Sequence, residues 1–297
     1  MRLAVIGYGS MGKRYVAMAH ASKRWLDGVL VSDPALEVDI ERGFGLHYSL
    51  ADAIRLADAI VVAAPASTRA QMLPQVLAEG KPVLIEKPLA LSADEVGHLT
   101  PTAPVLVGYN LRSLGPYRQF RQALIPEFLN PLRATFRIEC DASTWPGRTY
   151  ADALSECSHE IDAALWALGP ADVTAAASRR STQWTITLQH KTGVVSRIEI
   201  DTSATAYARG ATVDNGTSVS WDAPNGLATF TSRDGVTRSF AWTPEMTYRR
   251  QFAHFTDLAE SFGRGFHDYV TPRCSWEDGL ATLRACDAAR TIALTNR

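Results

Sequence analysis

The 297-residue sequence contains few cysteines: Cys140, Cys157, Cys274 and Cys286 are widely separated and form no CxxC pair. Their number and spacing argue against a disulfide framework and against a cysteine zinc site. They indicate buried thiols in a reducing compartment instead. We therefore expect a cytoplasmic protein with no structural metal.

Long apolar stretches and runs of one charge are also missing. No segment approaches the ~20 apolar residues that a membrane-spanning helix needs. The 30 basic and 31 acidic residues nearly cancel, and no basic face stands out that would bind nucleic acid. The N-terminus leads directly into a short apolar strand and a glycine-rich turn, so no signal peptide is expected. The sequence thus predicts neither a membrane nor a nucleic-acid partner.

What is present is an ordinary globular composition, with 46% hydrophobic and 21% charged residues. At roughly 150 residues per domain, the length favours two domains. In the first part of the chain, short apolar runs alternate with segments that carry apolar residues at helical spacing. This pattern predicts a doubly wound parallel sheet covered by helices. The predicted strands are residues 3–6, 29–32, 60–64, 83–86 and 105–109.

After about residue 120, apolar and polar residues alternate, which is typical of a sheet with one solvated face. Asn225-Gly226 and Asp234-Gly235 are hairpin signals between these short segments. Two helices, roughly 248–262 and 276–294, close the chain. We predict an α/β fold: a Rossmann domain at residues 1–120, then an α+β domain at 121–297 with an open, mostly antiparallel sheet.

A GxGxxG pattern follows the first predicted strand and opens a helix; its residues are Gly7, Tyr8, Gly9, Ser10, Met11 and Gly12. Gly7 permits the tight turn, Gly9 lets the backbone approach a pyrophosphate, and Gly12 lets the helix pack on the strand. Asp33 ends the second strand about 20 positions later, the spacing of a ribose ligand. Its carboxylate repels a 2′-phosphate, which predicts NAD over NADP. The alternative is an ordinary βα turn with Asp33 capping a loop.

Lys87 stands at the end of the fourth predicted strand, in Glu86-Lys87-Pro88. Ligands bind at the carboxyl ends of the strands in the centre of a doubly wound sheet. A lysine there can place a cation beside the nicotinamide ribose and the reacting oxygen, and Pro88 fixes the chain direction after it. The alternative is an ordinary lysine at a strand end on the surface.

Taken together, these motifs resemble the Gfo/Idh/MocA oxidoreductase family over nearly the whole chain. The matching segments are GYGSMG, AAP at 63–65, EKPLALS from 86, GYNLR at 108–112, HEIDAALWALG from 159 and EDGL at 277–280. The resemblance implies that Lys87 and His159 lie at the nicotinamide and that Ala64, Pro65 and Glu86 belong to the cofactor site. It also implies homodimers or homotetramers formed through the second sheet, where exposed apolar residues would mark the association surface.

His159 begins a predicted helix whose apolar residues Ile161, Ala164, Leu165 and Leu168 face a core. By itself such a histidine is more often structural, but the resemblance favours a catalytic or substrate-orienting function. Its ordinary pKa of ~6.5 suits proton exchange near neutrality.

Two positions depart from the family pattern. Many members carry an aspartate three or four residues before the histidine, where this chain has Glu156 and Ser155 without a Gly-rich turn. Glu156 is the candidate carboxylate for polarising His159. The second departure is Arg69, where related members carry a histidine. Both changes put in question how a proton reaches or leaves His159 more than they put in question the fold.

Substrate contacts are predicted from two loops. Residues 145–150 look like a shortened version of the corresponding segment in the subfamily found with nonulosonic-acid sugar pathways. Arg148 and Tyr150 could contact a carboxylate or hydroxyl of the substrate. Alternatively, they are loop residues without such a contact. Asn110 and Arg112 follow the fifth strand. Their structural alternative is a helix N-cap and a surface ion pair.

The sequence as a whole predicts reversible hydride transfer between C4 of a nicotinamide and a secondary alcohol or ketone of a sugar, cyclitol or related compound. Lys87 would stabilise charge on the reacting oxygen, and His159 would exchange the proton. Two alternatives remain open. One is an imine or C=C reductase of the same fold with Lys87 as proton donor. The other is an NAD-binding regulatory protein without turnover.

Overall fold

The computed structural model describes residues 1–36, 46–124, 132–144, 153–222, 225–266 and 270–295. Backbone contacts group the chain into two compact units, each discontinuous in sequence. The first is Met1–Tyr109 with Tyr248–Leu280, and the second is Asn110–Thr247 with Ala281–Arg297. The division into domains at residue 120 stays a prediction.

The helices alternate with strands in the first third of the chain and return at its end. They are α1 (Ser10–Ser22), α2 (Leu50–Leu56), α3 (Ala66–Ala78), α4 (Ala93–Val96), α5 (Gly115–Leu124), α6 (Ala153–Glu156), α7 (His159–Leu168), α8 (Pro244–Gly263) and α9 (Trp276–Thr295). Among the described residues, none of these helices is both long and apolar enough to cross a membrane.

The first unit holds a parallel sheet, in the order β3-β2-β1-β4-β5-β6 across the described residues. Its strands are β1 (Leu3–Ile6), β2 (Val29–Ser32), β3 (Leu46–His47), β4 (Ala59–Val62), β5 (Val83–Ile85) and β6 (Val105–Val107). All residues of β1, β2, β4, β5 and β6 are buried, as in a parallel sheet covered on both faces. This confirms the predicted Rossmann fold, whose strand order reverses between β1 and β4.

The second unit holds a mixed sheet, in the order β14-β13-β12-β11-β7-β10-β9-β8 among the described residues. Its strands are β7 (Arg133–Asp141), β8 (Ala171–Arg179), β9 (Gln183–His190), β10 (Val195–Asp201), β11 (Ser203–Val213), β12 (Ser218–Asp222), β13 (Leu227–Thr231) and β14 (Thr237–Ala241). Its pairs are antiparallel except β7 with β10. The predicted mostly antiparallel sheet is confirmed.

One face of the second sheet builds a core, and the other face carries charged residues along β7 and β10. Buried and more exposed residues alternate along β7 and β10. On the outer side, Arg137 pairs with Glu139, and Arg197 Nε lies 2.7 Å from Glu199 Oε1. Exposed apolar residues were expected on this face; on β7 and β10 its residues are charged or polar apart from half-buried Val195.

Residues 248–280 belong to the first unit, whereas the two closing helices were predicted within the second domain. Phe252 of α8 lies 5.7 Å from the Tyr15 ring and 6.2 Å from the Trp25 ring. Arg24 donates to both carboxylate oxygens of Glu260. An aromatic cluster between α1 and α8 therefore completes the first unit.

The EDGL segment has a packing explanation. Ser275 and Asp278 cap the start of α9 reciprocally, each accepting a hydrogen bond from the other's backbone N–H. A Cβ on Gly279 would lie 2.8 Å from a Val107 methyl and 3.1 Å from a Leu89 methyl. Only glycine lets α9 approach β6 and the segment after Lys87 this closely.

His190 is a buried histidine of the second unit. Its ring is buried, with Nδ1 2.7 Å from the Gly169 carbonyl and Nε2 2.7 Å from the Ser196 hydroxyl. Burial lowers the pKa of His190, partly offset by the bond to Gly169. The neutral ring fits these contacts, since Nδ1 donates to the carbonyl and Nε2 accepts from the hydroxyl.

We expect the free energy of unfolding to fall as the pH drops below about 6.5, because the unfolded chain then binds a proton that the folded ring resists. His190→Gln should be less stable at neutral pH and should lose part of this acid dependence. Chemical denaturation across the pH range checks both, with exposed His98→Gln as the control. An identical pH dependence in His190→Gln and the parent would contradict the assignment.

Candidate active site

The glycine turn between β1 and α1 has two positions closed to any side chain and one that is open. Gly7 has φ +90°, and a Cβ there would lie 2.6 Å from the Ala64 amide nitrogen. A Cβ on Gly12 would lie 1.9 Å from the Gly7 carbonyl oxygen. At Gly9, by contrast, a Cβ would meet nothing within 4 Å. The turn therefore has bare backbone facing free space at the N-terminus of α1, which fits a pyrophosphate.

Asp33, directly after β2, is tied to this turn. Its Oδ2 accepts a hydrogen bond of 2.6 Å from the Tyr8 N–H, and its Oδ1 accepts one of 2.8 Å from the Ala35 N–H. The side chain is half-buried. Because each carboxylate oxygen can accept more than one bond, Asp33 can hold the turn and still accept from ribose hydroxyls. The predicted pairing of the turn with this aspartate has a structural basis.

The other predicted cofactor residues lie at the same edge of the first unit. Ser10 is exposed at the first position of α1, and Tyr8 is half-buried, with Lys13 Nζ 5.7 Å from its ring centre. Met11 accepts a hydrogen bond through its sulfur from Arg14. Ala64 is buried after β4, and exposed Pro65 precedes α3. Their contacts with a dinucleotide stay predictions.

Lys87 follows β5 and is half-buried, and its peptide bond to Pro88 is cis. The preceding residue, Glu86, is only 6% exposed. Tyr15 donates to Glu86 Oε1 at 2.5 Å, and the Lys87 N–H donates to Glu86 Oε2 at 3.2 Å. Gln251 of α8 in turn donates to the Tyr15 hydroxyl at 3.0 Å. These contacts favour a supporting function for Glu86 over direct cofactor binding.

Tyr15 stays protonated in this network. Burial, followed by the nearby Glu86 charge, raises the pKa of Tyr15 well above its usual value. The phenol is therefore a permanent donor to the carboxylate. Sequence reasoning missed Tyr15, Gln251 and the function of Gly108, where a Cβ would lie 3.0 Å from Glu86 Oε2. No local pattern signals these partners, because they are far apart along the chain.

Arg69 of α3 also reaches the Lys87 segment. It is 4% exposed, and its Nε donates to the Ala64 carbonyl at 2.8 Å. Its Nη1 donates to the carbonyls of Glu86 and Pro88. The departure from the family's histidine thus places a buried guanidinium against the main chain around Lys87.

The remaining predicted site residues belong to the second unit. His159 begins α7 and Glu156 ends α6, and both are half-buried. The core contacts expected for the helix after His159 are confirmed, since its apolar side chains join the core of the second unit. Arg148 and Tyr150, with the rest of residues 145–150, lie outside the described residues.

Arg112 and Asn110 are buried in the second unit. Arg112 is 3% exposed, and its Nε and Nη2 lie 3.0 Å and 2.7 Å from the two oxygens of buried Asp162. This forked pair is buried, not on the surface as the structural alternative had it. Asn110 donates to Thr247 at 3.4 Å. Both arrangements favour structural functions over the predicted substrate contacts.

Metal ligation has no candidate within the described ranges, where no group of three His, Cys, Asp or Glu side chains is placed to hold an ion.

Comparison with known proteins begins with the N-terminal region. Residues 1–104 match the Gfo/Idh/MocA oxidoreductase family, described as an NAD-binding Rossmann fold. The N-terminal region of the chain is therefore similar to this family. The predicted resemblance is confirmed for residues 1–104, and the NAD-binding description of the matching family agrees with the predicted cofactor. Among curated relatives, the inositol 2-dehydrogenase of Streptomyces avermitilis is 31% identical over 183 residues, which are 56% of this chain and 53% of that protein.

Solved structures match this chain along nearly its whole length. An apo scyllo-inositol dehydrogenase from Lactobacillus casei superposes with a TM-score of 0.74 at 16% identity, covering 100% of this chain and 96% of the other. A levoglucosan dehydrogenase in complex with NADH and L-sorbose gives 0.76 at 17% identity, covering 99% and 97%. At such identities these likenesses show the fold. The chain spans only about half to two thirds of the curated relatives that it matches.

Proposed function

We propose that this protein is an NAD-dependent dehydrogenase that transfers a hydride between the nicotinamide and a secondary alcohol or ketone of a cyclitol, sugar or related polyhydroxylated compound. The observation that carries the proposal is the placement of Lys87. It follows β5 at the carboxyl edge of the sheet, beside the point where the strand order reverses between β1 and β4. The open backbone at Gly9 follows β1 at the same edge, where α/β folds bind their ligands.

The substrate class is supported by the relatives. The curated relative named above is an inositol 2-dehydrogenase, and one structural neighbour is a levoglucosan dehydrogenase bound to NADH and L-sorbose. Inositol, levoglucosan and L-sorbose are all compounds with several hydroxyl groups. A cationic Lys87 suits such a substrate, because the oxygen that changes between hydroxyl and carbonyl gains negative charge during the reaction.

In this proposal the protein positions the reactants and moves the proton. Bound NAD supplies the hydride acceptor. Lys87 donates a hydrogen bond to the reacting oxygen, His159 takes or returns its proton, and Glu156 holds the imidazole in the required orientation. Asp33 accepts hydrogen bonds from the adenosine ribose. Arg148 and Tyr150 remain the proposed substrate contacts. Asn110 and Arg112 are less suited to contact the substrate, because both are buried and bound to other residues of the protein.

The test is a panel of cyclitols and sugars with NAD, followed at the nicotinamide absorbance, with cyclic imines and conjugated carbonyls plus NADH as the competing panel. Reduction of NAD by at least one polyol supports the proposal. Oxidation of NADH by an imine or a C=C compound alone would favour the reductase. Tight NAD binding with no hydride exchange on either panel would favour a regulatory protein.

Cofactor choice follows from Asp33. We expect NAD to bind more tightly than NADP, because a 2′-phosphate would lie against the carboxylate. Asp33→Ser should narrow the preference, and Asp33→Ser with an added neighbouring arginine should invert it. Titrating the parent and the two variants with NAD and with NADP measures this cofactor preference. A parent protein that prefers NADP would show that Asp33 does not contact the ribose.

Self-association and location complete the proposal. The outer face of β7 and β10 carries alternating charges of both signs, and Glu199 lies beside Arg137 in register. This pattern can complement a second copy of itself in a homodimer or homotetramer. Sedimentation velocity at micromolar concentration tests it, and a strict monomer would refute it. The four buried free thiols support a reducing, cytoplasmic location.

A further inference from the structure

We infer that Arg69 is a positioning residue for Lys87: its guanidinium holds the main chain on both sides of the lysine and so sets where the ammonium group reaches. The inference rests on the proposed function for its effect on turnover, but its structural part concerns the first unit alone. In the contacts that carry the argument, Arg69 binds main-chain carbonyl groups.

Three carbonyl groups define the arrangement. Arg69 Nε donates to the carbonyl of Ala64, two residues after the end of β4. Its Nη1 donates to the carbonyls of Glu86 and Pro88, one residue before and one residue after Lys87. β4 and β5 are neighbours in the sheet. One buried side chain therefore joins two adjacent strand ends and brackets the lysine between two of its hydrogen bonds.

The choice of residue follows from the number and direction of the donors. A guanidinium has five N–H groups in a rigid plane and is always charged, so it can serve several carbonyls from one fixed position. An imidazole offers two nitrogens at most, and a lysine is a point charge on a flexible stem. Arginine at position 69 is thus the residue type that satisfies all three buried carbonyls together.

The side chain of Glu86 is held independently of Arg69. Its carboxylate accepts from Tyr15 and from the Lys87 N–H, whereas Arg69 binds the Glu86 carbonyl. Removing the guanidinium therefore leaves the Tyr15 bond in place and releases only the main chain. The expected consequence is a local shift of Lys87, and small displacements of a catalytic group can cost as much as about 10²-fold in rate.

The experiment compares Arg69→Met, which keeps the length of the side chain without donors, with Arg69→Lys and with Arg55→Met. Arg55 is the control, because its side chain is 62% exposed and pairs only with Asp52 on the same helix among the described contacts. Backbone hydrogen exchange of the full-length protein is read at residues 86–91 and at β1. Turnover is measured with the best substrate of the polyol panel, and NAD affinity by titration.

In Arg69→Met we expect exchange at 86–91 to accelerate about tenfold while β1 is unchanged, since only the local segment loses its donors. kcat should fall about 10- to 100-fold with KM and NAD affinity nearly constant, the signature of a lost transition-state contact. Arg69→Lys should recover part of both effects. In Arg69→Ala, millimolar guanidinium should restore part of kcat, whereas urea at the same concentration should not.

Unchanged exchange and kcat in Arg69→Met would overturn the inference. Equal acceleration at β1 would also overturn it, because Arg69 would then stabilise the whole unit and not the lysine segment. If Arg69→Met does not fold, Arg69→Lys decides by the same two readouts. If the parent turns over no polyol, the proposed function fails, and the exchange data alone still decide whether Arg69 holds the Lys87 segment.

Discussion

Replacing Lys87 by methionine is expected to lower kcat by about 10²–10⁴-fold while the affinity for NAD changes little. Methionine has nearly the length of lysine but carries no charge and donates no hydrogen bond, so the reacting oxygen loses its cationic partner. The main chain around residue 87 should stay in place, because Arg69 and Glu86 hold it through backbone atoms. Steady-state kinetics with the best polyol, together with NAD titration, measure both effects.

Two further variants sharpen the Lys87 result. Lys191→Met removes an exposed lysine from the turn between β9 and β10 and should keep full activity. His159→Ala should cost on the order of 10²–10⁴ in rate if the imidazole exchanges the proton. A Lys87→Met enzyme that retains its kcat would remove Lys87 from the chemistry. If Lys87→Met loses activity and His159→Ala keeps it, Lys87 is left as the proton donor. That result would favour the imine or C=C reductase alternative.

Replacing Gly9 by valine is expected to abolish NAD binding without unfolding the protein. A Cβ at this position meets no atom within 4 Å, so the folded chain accommodates the substitution. The added methyl groups would instead occupy the space into which a pyrophosphate must fit against the backbone. Cofactor titration should show no saturation, while the thermal unfolding midpoint stays close to that of the parent.

Gly12→Val is the matched control for Gly9→Val. Its Cβ would fall 1.9 Å from the Gly7 carbonyl oxygen, so α1 could no longer pack against the end of β1. This variant should lose both stability and NAD binding, whereas Gly9→Val should lose binding alone. Undiminished NAD affinity in Gly9→Val would show that the glycine turn is not the pyrophosphate site.

The first unit was predictable because its signals are local. Apart from Ser32 at the end of β2, the residues of β1, β2, β4, β5 and β6 are all apolar, which only a sheet covered on both faces can bury. The glycine turn and Asp33 were recognisable because the backbone demands of a βα turn act within a few residues of the chain. The short strand β3 and the weakly alternating β8 escaped prediction, since two residues, or an alanine-rich segment with mostly exposed positions, carry little pattern.

The candidate site was predictable in its location but not in its partners. Lys87 was recognisable because it ends a buried strand. The contacts that support it come from Arg69, Tyr15 and Gln251, whose separation along the chain leaves no periodic signal. For Arg112 the sequence left a substrate contact and an ion pair open, and the structure shows an ion pair with Asp162, 50 residues away, in the interior.

The sequence by itself determined the parallel sheet, the glycine turn with its acidic partner and the lysine at the strand end, because burial periodicity and turn geometry are properties of short segments. Tertiary structure alone decided that residues 248–280 complete the first unit, that β7 and β10 pair in parallel and that Arg69 binds the main chain around Lys87. These outcomes depend on which distant groups share a buried space. A buried charge or carbonyl must find a partner there, and composition and spacing do not say which one.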